Sequence, residues 1–244
     1  MTEDAGRRCS AFCSTSGQQQ ITTRTFGIVV TMTFSAVLFD VDGVLLDSAA
    51  AHHRIWNAWA TLRGLDAEDV WQHTFGRRPE DTVRQVAPDL DPAAERQVLN
   101  GLMRKEGDAF PPMEGAAHLL NALQPGAWAL VTSGSRQPVH ERFGRGGLPL
   151  PEVQVYGEDV INAKPHPDAY LLAATRLRSE PQRCIVVEDA PAGVTAGKAA
   201  GCTVIAITST HSAPQLADAD VCVSSLTEAK SHLASLLAAD QLMM

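Results

Sequence analysis

The chain has 244 residues with 20 basic and 28 acidic side chains, so its formal net charge at pH 7 is −8. This acidic balance argues against nucleic acid as a partner, because binding phosphate backbones requires a basic surface. With 45% hydrophobic and 20% charged residues, the composition is typical of a globular protein and excludes a largely disordered or coiled-coil chain. No segment approaches the roughly 18 consecutive apolar residues that a membrane span needs.

The five cysteines are odd in number and lack the paired spacing of a metal site. Cys9 and Cys13 could bind a metal, but the second pair that such a site needs is missing. We therefore expect reduced thiols and a cytoplasmic protein. We also expect a monomer or a weak homodimer that acts on a small molecule.

Residues 1–31 differ from the rest of the chain. They are rich in Ser, Thr and Gln, and their apolar run GIVV is too short for the core of a signal peptide, which takes about 7–15 residues. The segment also bears arginines and few acids, so an organelle-targeting sequence is an alternative. We favour a disordered extension, or a start codon placed too early with Met32 as the true start.

From Ser35 onward, short apolar segments alternate with helical patterns. Continuous apolar strands separated by helices indicate a parallel sheet covered on both faces. We predict an α/β fold with a doubly wound, Rossmann-like core, in which a ligand binds beyond the carboxyl ends of the strands. The predicted strands are AVLFD at 36–40, AWALVT at 127–132, VQVYG at 153–157, CIVVED at 184–189, CTVIAIT at 202–208 and DVCVS at 220–224.

Residues 48–112 interrupt this alternation, because they contain several helical patterns and no strand pattern. We predict an all-helical cap inserted into a core formed by residues 32–47 and 113–244. Two prolines in FPPM at 110–113 stop the last helix and stiffen a hinge. An insertion that leaves the sheet at a strand's carboxyl end would cover the active site as a lid. Three tryptophans at helical spacing are expected to form the small core of this cap: Trp56, Trp59 and Trp71.

The end of the first strand carries Asp40 and Asp42, followed by Gly43. In an extended segment residues i and i+2 point the same way, so both carboxylates can face one pocket. The pair suits a carboxylate nucleophile beside a general acid/base, with a divalent metal between them. The alternative is an ordinary polar turn, since Asp and Gly are turn residues.

Two further strand ends offer groups that could bind phosphate. Ser133 and Gly134 follow the second strand, where a hydroxyl and open backbone amides could cradle an anion. Lys164 lies between two prolines that fix its loop, so its ammonium could neutralise a phosphoryl group and a carboxylate together. Taken singly, these residues could equally be loop material and a surface lysine.

Glu188 and Asp189 follow the fourth strand directly and precede a helix start. Paired oxygen ligands suit Mg²⁺, although an aspartate here could simply cap the helix. Four such signals at successive strand ends, around one predicted pocket, favour a functional site over coincidence.

With these motifs assembled, the sequence from Ser35 to the C-terminus resembles the haloacid dehalogenase-like hydrolase superfamily, in its helical-cap branch. The segments WALVTSGSR, KPHPDAY and VVEDAPAGVTAGKAAG look most like those of glycerol-phosphate and 2-deoxyglucose-6-phosphate phosphatases. The resemblance implies that Asp40 attacks phosphorus and that Asp42 acts as general acid and then base. It also implies that Mg²⁺ is held by Asp40, the Asp42 carbonyl, Asp189 and, directly or through water, Glu188, while Ser133 and Lys164 hold phosphoryl oxygens.

The cap is expected to choose the substrate, which we predict to be a small phosphorylated sugar or polyol. His52 lies near the hinge and Arg77 and Arg78 follow Gly76 at the end of a predicted cap helix, so all three are candidate substrate-binding residues. We expect only one of the two arginines to point inward. Five other histidines show no partner pattern and are expected at the surface or at caps: His73, His118, His140, His211 and His232.

Two alternatives remain open. A sugar-phosphate mutase of the β-phosphoglucomutase type resembles the chain in its first motif and in the spacing of His52 and Trp56, but its cap-loop arginine aligns with Pro79 here. A non-catalytic sensor of phosphorylated metabolites would be expected to lack Asp40 or Asp42. An assay with an aryl phosphate and Mg²⁺ separates the sensor from both enzymes.

Overall fold

The computed structural model describes residues 22–25, 28–31, 33–107 and 109–237. The chain divides into two compact units, residues 1–32 and residues 33–244. In the first unit, strands β1 (Thr22–Thr25) and β2 (Ile28–Thr31) form an antiparallel pair. The expectation of a disordered extension did not include this pair. The rest of residues 1–31 lies outside the described residues.

The second unit contains a parallel six-stranded sheet, as the sequence predicted. Its spatial order is β5-β4-β3-β6-β7-β8, so the chain starts in the middle, builds one side and then crosses to the other. Each strand lies within a predicted apolar segment: β3 (Ala36–Phe39), β4 (Trp128–Val131), β5 (Val153–Val155), β6 (Cys184–Glu188), β7 (Thr203–Ile207) and β8 (Val221–Val223).

Helices cover both faces of the sheet, because successive side chains of each strand point to opposite faces. On β3, Val37 and Phe39 join one apolar cluster while Ala36 and Leu38 join the other. The flanking helices are α5 (Ala116–Asn121), α6 (Arg136–Gly146), α7 (Asp168–Arg176), α8 (Pro191–Ala199) and α9 (Leu226–Leu236). Helix α6 was missed in the sequence, where its high proportion of polar residues hid the buried face formed by Val139 and Phe143.

Between β3 and α5 lie four helices that pack around an apolar cluster of their own, which includes Trp59, Val83 and Leu99. We call residues 48–112 the helical insertion. Its helices match the predicted ones: α1 (Ala49–Arg63), α2 (Ala67–Gln72), α3 (Pro79–Val86) and α4 (Pro92–Glu106). Proline at the first turn of α3 and α4 fits there because its missing N–H would have no helical partner.

The two connections between insertion and core run side by side. The amide of Asp47 donates to the Pro111 carbonyl at 2.8 Å, and the amide of Met113 donates to the Leu45 carbonyl at 2.9 Å. The segment before the insertion and the predicted hinge at 110–113 are therefore hydrogen-bonded to each other. In the described part of the chain, every helix is too short or too polar to cross a membrane.

Removing residues 1–31 should leave the second unit intact. This unit begins to pack at Phe34, which is buried and whose amide donates to the Leu236 carbonyl at 3.3 Å. A chain starting at Met32 should therefore match the full chain in melting temperature and in its rate with an aryl phosphate and Mg²⁺. A chain starting at Ala36, which also loses Phe34, serves as control and should melt lower; a large loss already at Met32 would contradict the prediction.

Candidate active site

The predicted site residues converge at one edge of the sheet. Strands β3 and β6 are neighbours at the point where the chain changes direction across the sheet, and a crevice opens beyond their carboxyl ends. Asp40 follows β3, Ser133 lies two residues beyond β4, and Asp189 follows β6. Lys164 comes from the loop after β5. The parallel sheet therefore brings together groups that lie up to about 150 residues apart in the sequence.

Lys164 is the centre of a buried ion network. Its Nζ atom donates to Asp40 Oδ1 at 2.5 Å and to Glu188 Oε1 at 2.6 Å, and it lies 3.3 Å from the Val131 carbonyl oxygen. The hydroxyl of Tyr170 also donates to Glu188 Oε1, at 2.8 Å. The second Glu188 oxygen accepts the amides of Asp189 and Ala190. Lys164 therefore contacts carboxylates at the ends of two strands at once.

Asp189 completes a cluster of three carboxylates with Asp40 and Glu188, whose oxygen atoms lie within 4.8 Å of one another. Its Oδ2 atom accepts a hydrogen bond from the Thr210 hydroxyl. Gly43 turns with φ of 81°, and a Cβ there would lie 2.1 Å from Asp189 Oδ2. Only glycine therefore fits between the Asp40 loop and Asp189.

The charges in this cluster fit a divalent cation. Three carboxylates face one ammonium, and uncompensated buried charge is costly. Burial raises the pKa of Asp40 to about 7 against the opposing charge of Lys164, and burial with the neighbouring carboxylates raises the pKa of Asp189 well above its usual range. Hard oxygen ligands of this kind suit Mg²⁺. Asp40 and Asp189 each keep one carboxylate oxygen without a protein partner in the described structure, whereas both oxygens of Glu188 are engaged.

Asp42 lies in a different electrostatic environment from Asp40. Its Oδ1 atom accepts a hydrogen bond from Arg142 Nη1 at 2.8 Å, and His52 Nε2 lies 3.9 Å away. Burial alone would raise the pKa of Asp42, but Arg142, His52 and the Ser48 hydroxyl together lower it. Burial also lowers the pKa of His52, the Arg142 charge adds to this effect and Asp42 opposes it. Asp42 is therefore held as a carboxylate whose cationic partner is Arg142.

The two predicted phosphate-binding groups after β4 already have protein partners. The Ser133 hydroxyl donates to the Gly76 carbonyl at 2.8 Å, and the Gly134 amide donates to Thr132 Oγ1 at 3.0 Å. Gly76 belongs to the insertion, so Ser133 joins core and insertion across the crevice. Binding of a phosphoryl oxygen at Ser133 would replace this contact.

Of the two neighbouring arginines, the structure brings only Arg77 to the cavity. The guanidinium of Arg78 points to the core instead, where it donates to the carbonyls of Gly157 and Val160 at 3.3 and 3.2 Å. Arg77 and His52 line the cavity between insertion and core. Arg78 was predicted to be a substrate-binding candidate. All three of its guanidinium nitrogen atoms donate to protein acceptors instead, and the acceptors on the core attach the insertion to the core.

The cavity measures about 110 Å³ and has a polar floor on the core and a mixed roof on the insertion. Asp40, Asp42 and Asp189 face it from below. Trp56 and Trp59 belong to the apolar cluster of the insertion and Trp71 packs against it, as predicted. Trp56 and Trp71 also line the roof of the cavity. Further roof residues that sequence reasoning missed are Thr74, Phe75, Arg96, Leu99, Asn100 and Met103.

Some site residues were missed because their signal is weak. Arg142 lies three residues after the buried Val139, so helical spacing places a charge on the buried face of α6, and a buried charge predicts a partner. His211 was expected at the surface or at a cap, but it meets the Phe75 ring edge to face, with ring centroids 4.6 Å apart, and contacts the Asp189 carbonyl. Thr210 carries no sequence signal beyond its place after a strand.

Comparison with known proteins agrees with this geometry. Residues 34–201 match the family described as haloacid dehalogenase-like hydrolase. Hexitol phosphatase A of Escherichia coli is 42% identical over 196 residues, which cover 78% of this chain and 91% of the relative. Glycerol-1-phosphate phosphohydrolase 2 of Saccharomyces cerevisiae is 36% identical over 191 residues, covering 72% and 75%. A family hydrolase of Deinococcus radiodurans, solved with bound phosphate and sodium, superposes with a TM-score of 0.63 at 29% identity, covering 84% of this chain and 98% of that one.

Proposed function

Since the chain belongs to the haloacid dehalogenase-like hydrolase family, we propose that it is a Mg²⁺-dependent phosphatase of small sugar or polyol phosphates. The observation that carries the proposal is the pairing of two aspartates in opposite environments at one strand end. Asp40 lies against Lys164 in the carboxylate cluster, whereas Asp42 is held by Arg142. A carboxylate beside an ammonium and further metal-type ligands suits a nucleophile, and a carboxyl group outside that cluster suits a general acid/base.

Asp40 is the nucleophile in this proposal. One of its oxygens attacks phosphorus and forms an aspartyl-phosphate as the alcohol leaves, which splits one difficult step into two easier ones. Lys164 remains beside the attacking carboxylate and offsets charge on the phosphoryl oxygens. A bound Mg²⁺, held by Asp40 and Asp189 with Glu188 behind them, would add Lewis-acid neutralisation of the same oxygens.

Asp42 moves the protons. As a carboxylic acid it gives its proton to the leaving alkoxide oxygen, and as a carboxylate it then takes a proton from the water that attacks the aspartyl-phosphate. Its pKa is lowered in the structure without substrate. The negative charges of a bound phosphate ester oppose this effect and favour the protonated form that the first step needs, while Arg142 fixes the position of Oδ1. Closure of the insertion over the crevice would exclude bulk water during both steps.

Two relatives named for hexitol and glycerol phosphates support the substrate class. The mixed roof, in which Arg77 and Asn100 lie beside Trp56 and Phe75, suits a polyhydroxylated leaving group with apolar C–H faces. Pro79 starts helix α3 at the position where the mutase alternative requires an arginine, so hydrolysis rather than transfer to a second sugar is proposed.

Asp40→Asn should abolish Mg²⁺-dependent release of inorganic phosphate from glycerol phosphate while the protein stays folded. An amide is a poor nucleophile, and the change also removes one charge from the metal cluster. Phosphate release and the melting temperature would be measured with and without EDTA. Asp47→Asn, a change at an exposed aspartate of the same loop, is the matched control and should keep wild-type activity. Residual activity above a few per cent in Asp40→Asn, beyond contaminating wild type, would remove Asp40 from the mechanism.

Asp42→Asn should slow turnover by about 10²- to 10⁴-fold, the usual contribution of general acid/base catalysis. With 4-nitrophenyl phosphate, whose leaving group needs no proton, the first step should survive and the second should not. Rapid mixing should then show a burst of close to one nitrophenolate per active site, followed by slow turnover. An unchanged kcat would mean that another group moves the proton.

Arg77→Ala and Arg78→Ala should differ in kind. Losing Arg77 from the roof should change the ratio of kcat/KM values among glycerol phosphate, a hexose 6-phosphate and an aryl phosphate. Losing Arg78 should lower all three values by a similar factor, because Arg78 holds the insertion on the core. Arg84→Ala, on the exposed face of α3, controls for loss of a cap arginine. Unchanged ratios in Arg77→Ala would show that Arg77 does not contact the leaving group.

A further inference from the structure

Arg96 is the second arginine on the roof of the cavity, and it is held by two partners. Its side chain is only 11% exposed; Nη1 lies 3.2 Å from Glu80 Oε2 on α3, and Nη2 donates to the Ser135 hydroxyl of the core. Glu80 itself is not part of the cavity wall. Arg96 therefore presents a guanidinium to the substrate while a carboxylate behind it cancels its charge.

The other cations in or beneath the cavity wall are paired or needed elsewhere. Arg142 pairs with Asp42, and Lys164 pairs with Asp40 and Glu188. Arg77 donates to the neutral Gln85 amide oxygen at 2.5 Å, so it keeps its full charge. A phosphate monoester brings two negative charges near neutral pH, so Arg77 faces an excess of negative charge as soon as substrate binds. Arg77 is therefore the one arginine of the described cavity wall without a carboxylate partner, and the two charges of the phosphate ester already exceed its single charge.

We propose that Glu80, by neutralising Arg96, restricts the enzyme to phosphate esters whose leaving group is uncharged, such as polyols and simple sugars. This inference rests on the proposed phosphatase function and names the residue that sets its substrate class. A leaving group with a carboxylate or a second phosphate would lie next to Arg96, whose charge Glu80 already balances. Below it lie the carboxylates of the site and the phosphoryl group of the substrate itself. Such a group would have to displace Glu80 from Arg96 to find a partner.

The charge of Glu80 can be removed without changing the wall. In Glu80→Gln the amide oxygen can still accept from Arg96 Nη1, so the arginine keeps its position but regains a full charge. A carboxylate on the substrate could then form a charge-assisted hydrogen bond with Arg96. Because Glu80 lies behind the wall, neutral esters should bind and react almost as before.

Two pairs of phosphate esters differ only in whether the leaving group carries a carboxylate. Glucitol 6-phosphate and 6-phosphogluconate have the same length and differ by a hydroxymethyl group against a carboxylate at the far end. Glycerol 3-phosphate and 3-phosphoglycerate form the corresponding shorter pair. For whichever pair the wild-type enzyme hydrolyses faster, the kcat/KM ratio of acidic to neutral ester should rise about fivefold or more in Glu80→Gln, the equivalent of one partly exposed ion pair.

Three variants make the test specific. Glu106→Gln breaks the Arg54–Glu106 ion pair of 2.6 Å elsewhere in the insertion and should leave the ratio unchanged. The double variant Glu80→Gln/Arg96→Gln should lose the gain, because the freed guanidinium is absent. Glu80→Ala should move the ratio in the same direction as Glu80→Gln. It replaces Glu80→Gln in the test if melting temperatures show that Glu80→Gln does not fold.

The possible results distinguish a failure of the charge inference from a failure of the proposed phosphatase function. Wild-type enzyme that releases phosphate from no neutral ester and from no aryl phosphate would overturn the proposed function. If wild-type enzyme hydrolyses a neutral ester but the folded Glu80 variants leave the ratio within twofold, the charge inference fails and the function stands. The inference also fails if the gain persists without Arg96 or occurs equally in Glu106→Gln.

Discussion

The buried contact of Lys164 with Asp40 and Glu188 is the interaction on which the site depends. Carboxylates at the ends of β3 and β6 approach one another because neighbouring parallel strands end at the same edge. Without compensation, such buried like charges would oppose the packing that brings them together. Lys164 supplies one positive charge from a third strand end, and Tyr170 adds a hydrogen bond from α7. The fold and the site therefore share one electrostatic requirement.

The loop after β3 places Asp40 and Asp42 in different electrostatic environments, although they are only two residues apart. Asp40 remains in the cluster, where burial raises its pKa to about 7, whereas Asp42 turns to Arg142 and its pKa is lowered. The separation is achieved by the turn at Gly43, which lets the chain pass beside Asp189, and by α6, which delivers Arg142. Helix α6, which lies outside the edge of the sheet, thus sets the electrostatic environment of Asp42 at that edge. The helical insertion contributes too, because Phe110 packs under the Arg142 guanidinium at 4.9 Å.

Local sequence patterns were sufficient for the sheet and for the floor of the site. Continuous apolar runs identify buried parallel strands, and polar residues directly after them, such as Asp40 and Asp189, must lie at the carboxyl edge. The roof was harder to predict because it depends on how helices pack against one another. Arg77 and Arg78 are adjacent and chemically identical, yet one lines the cavity and the other binds core carbonyls. Arg96 belongs to a helix whose inward face is defined only by tertiary packing, and its sequence context gave no signal.

The Ser133 hydroxyl has a single proton, so in the proposed mechanism it connects attachment of the insertion with phosphate binding. The proton is given to the Gly76 carbonyl in this structure, and a phosphoryl oxygen at the same hydroxyl would take it. The insertion would then lose one contact when the site fills, but the bonds of Arg78 to Gly157 and Val160 do not involve Ser133 and would persist. Their acceptors are backbone carbonyls, so they hold the insertion alike for every substrate. In the proposed mechanism, discrimination among substrates is therefore left to the wall of the cavity, where charge and shape can differ without loosening the attachment of the insertion to the core.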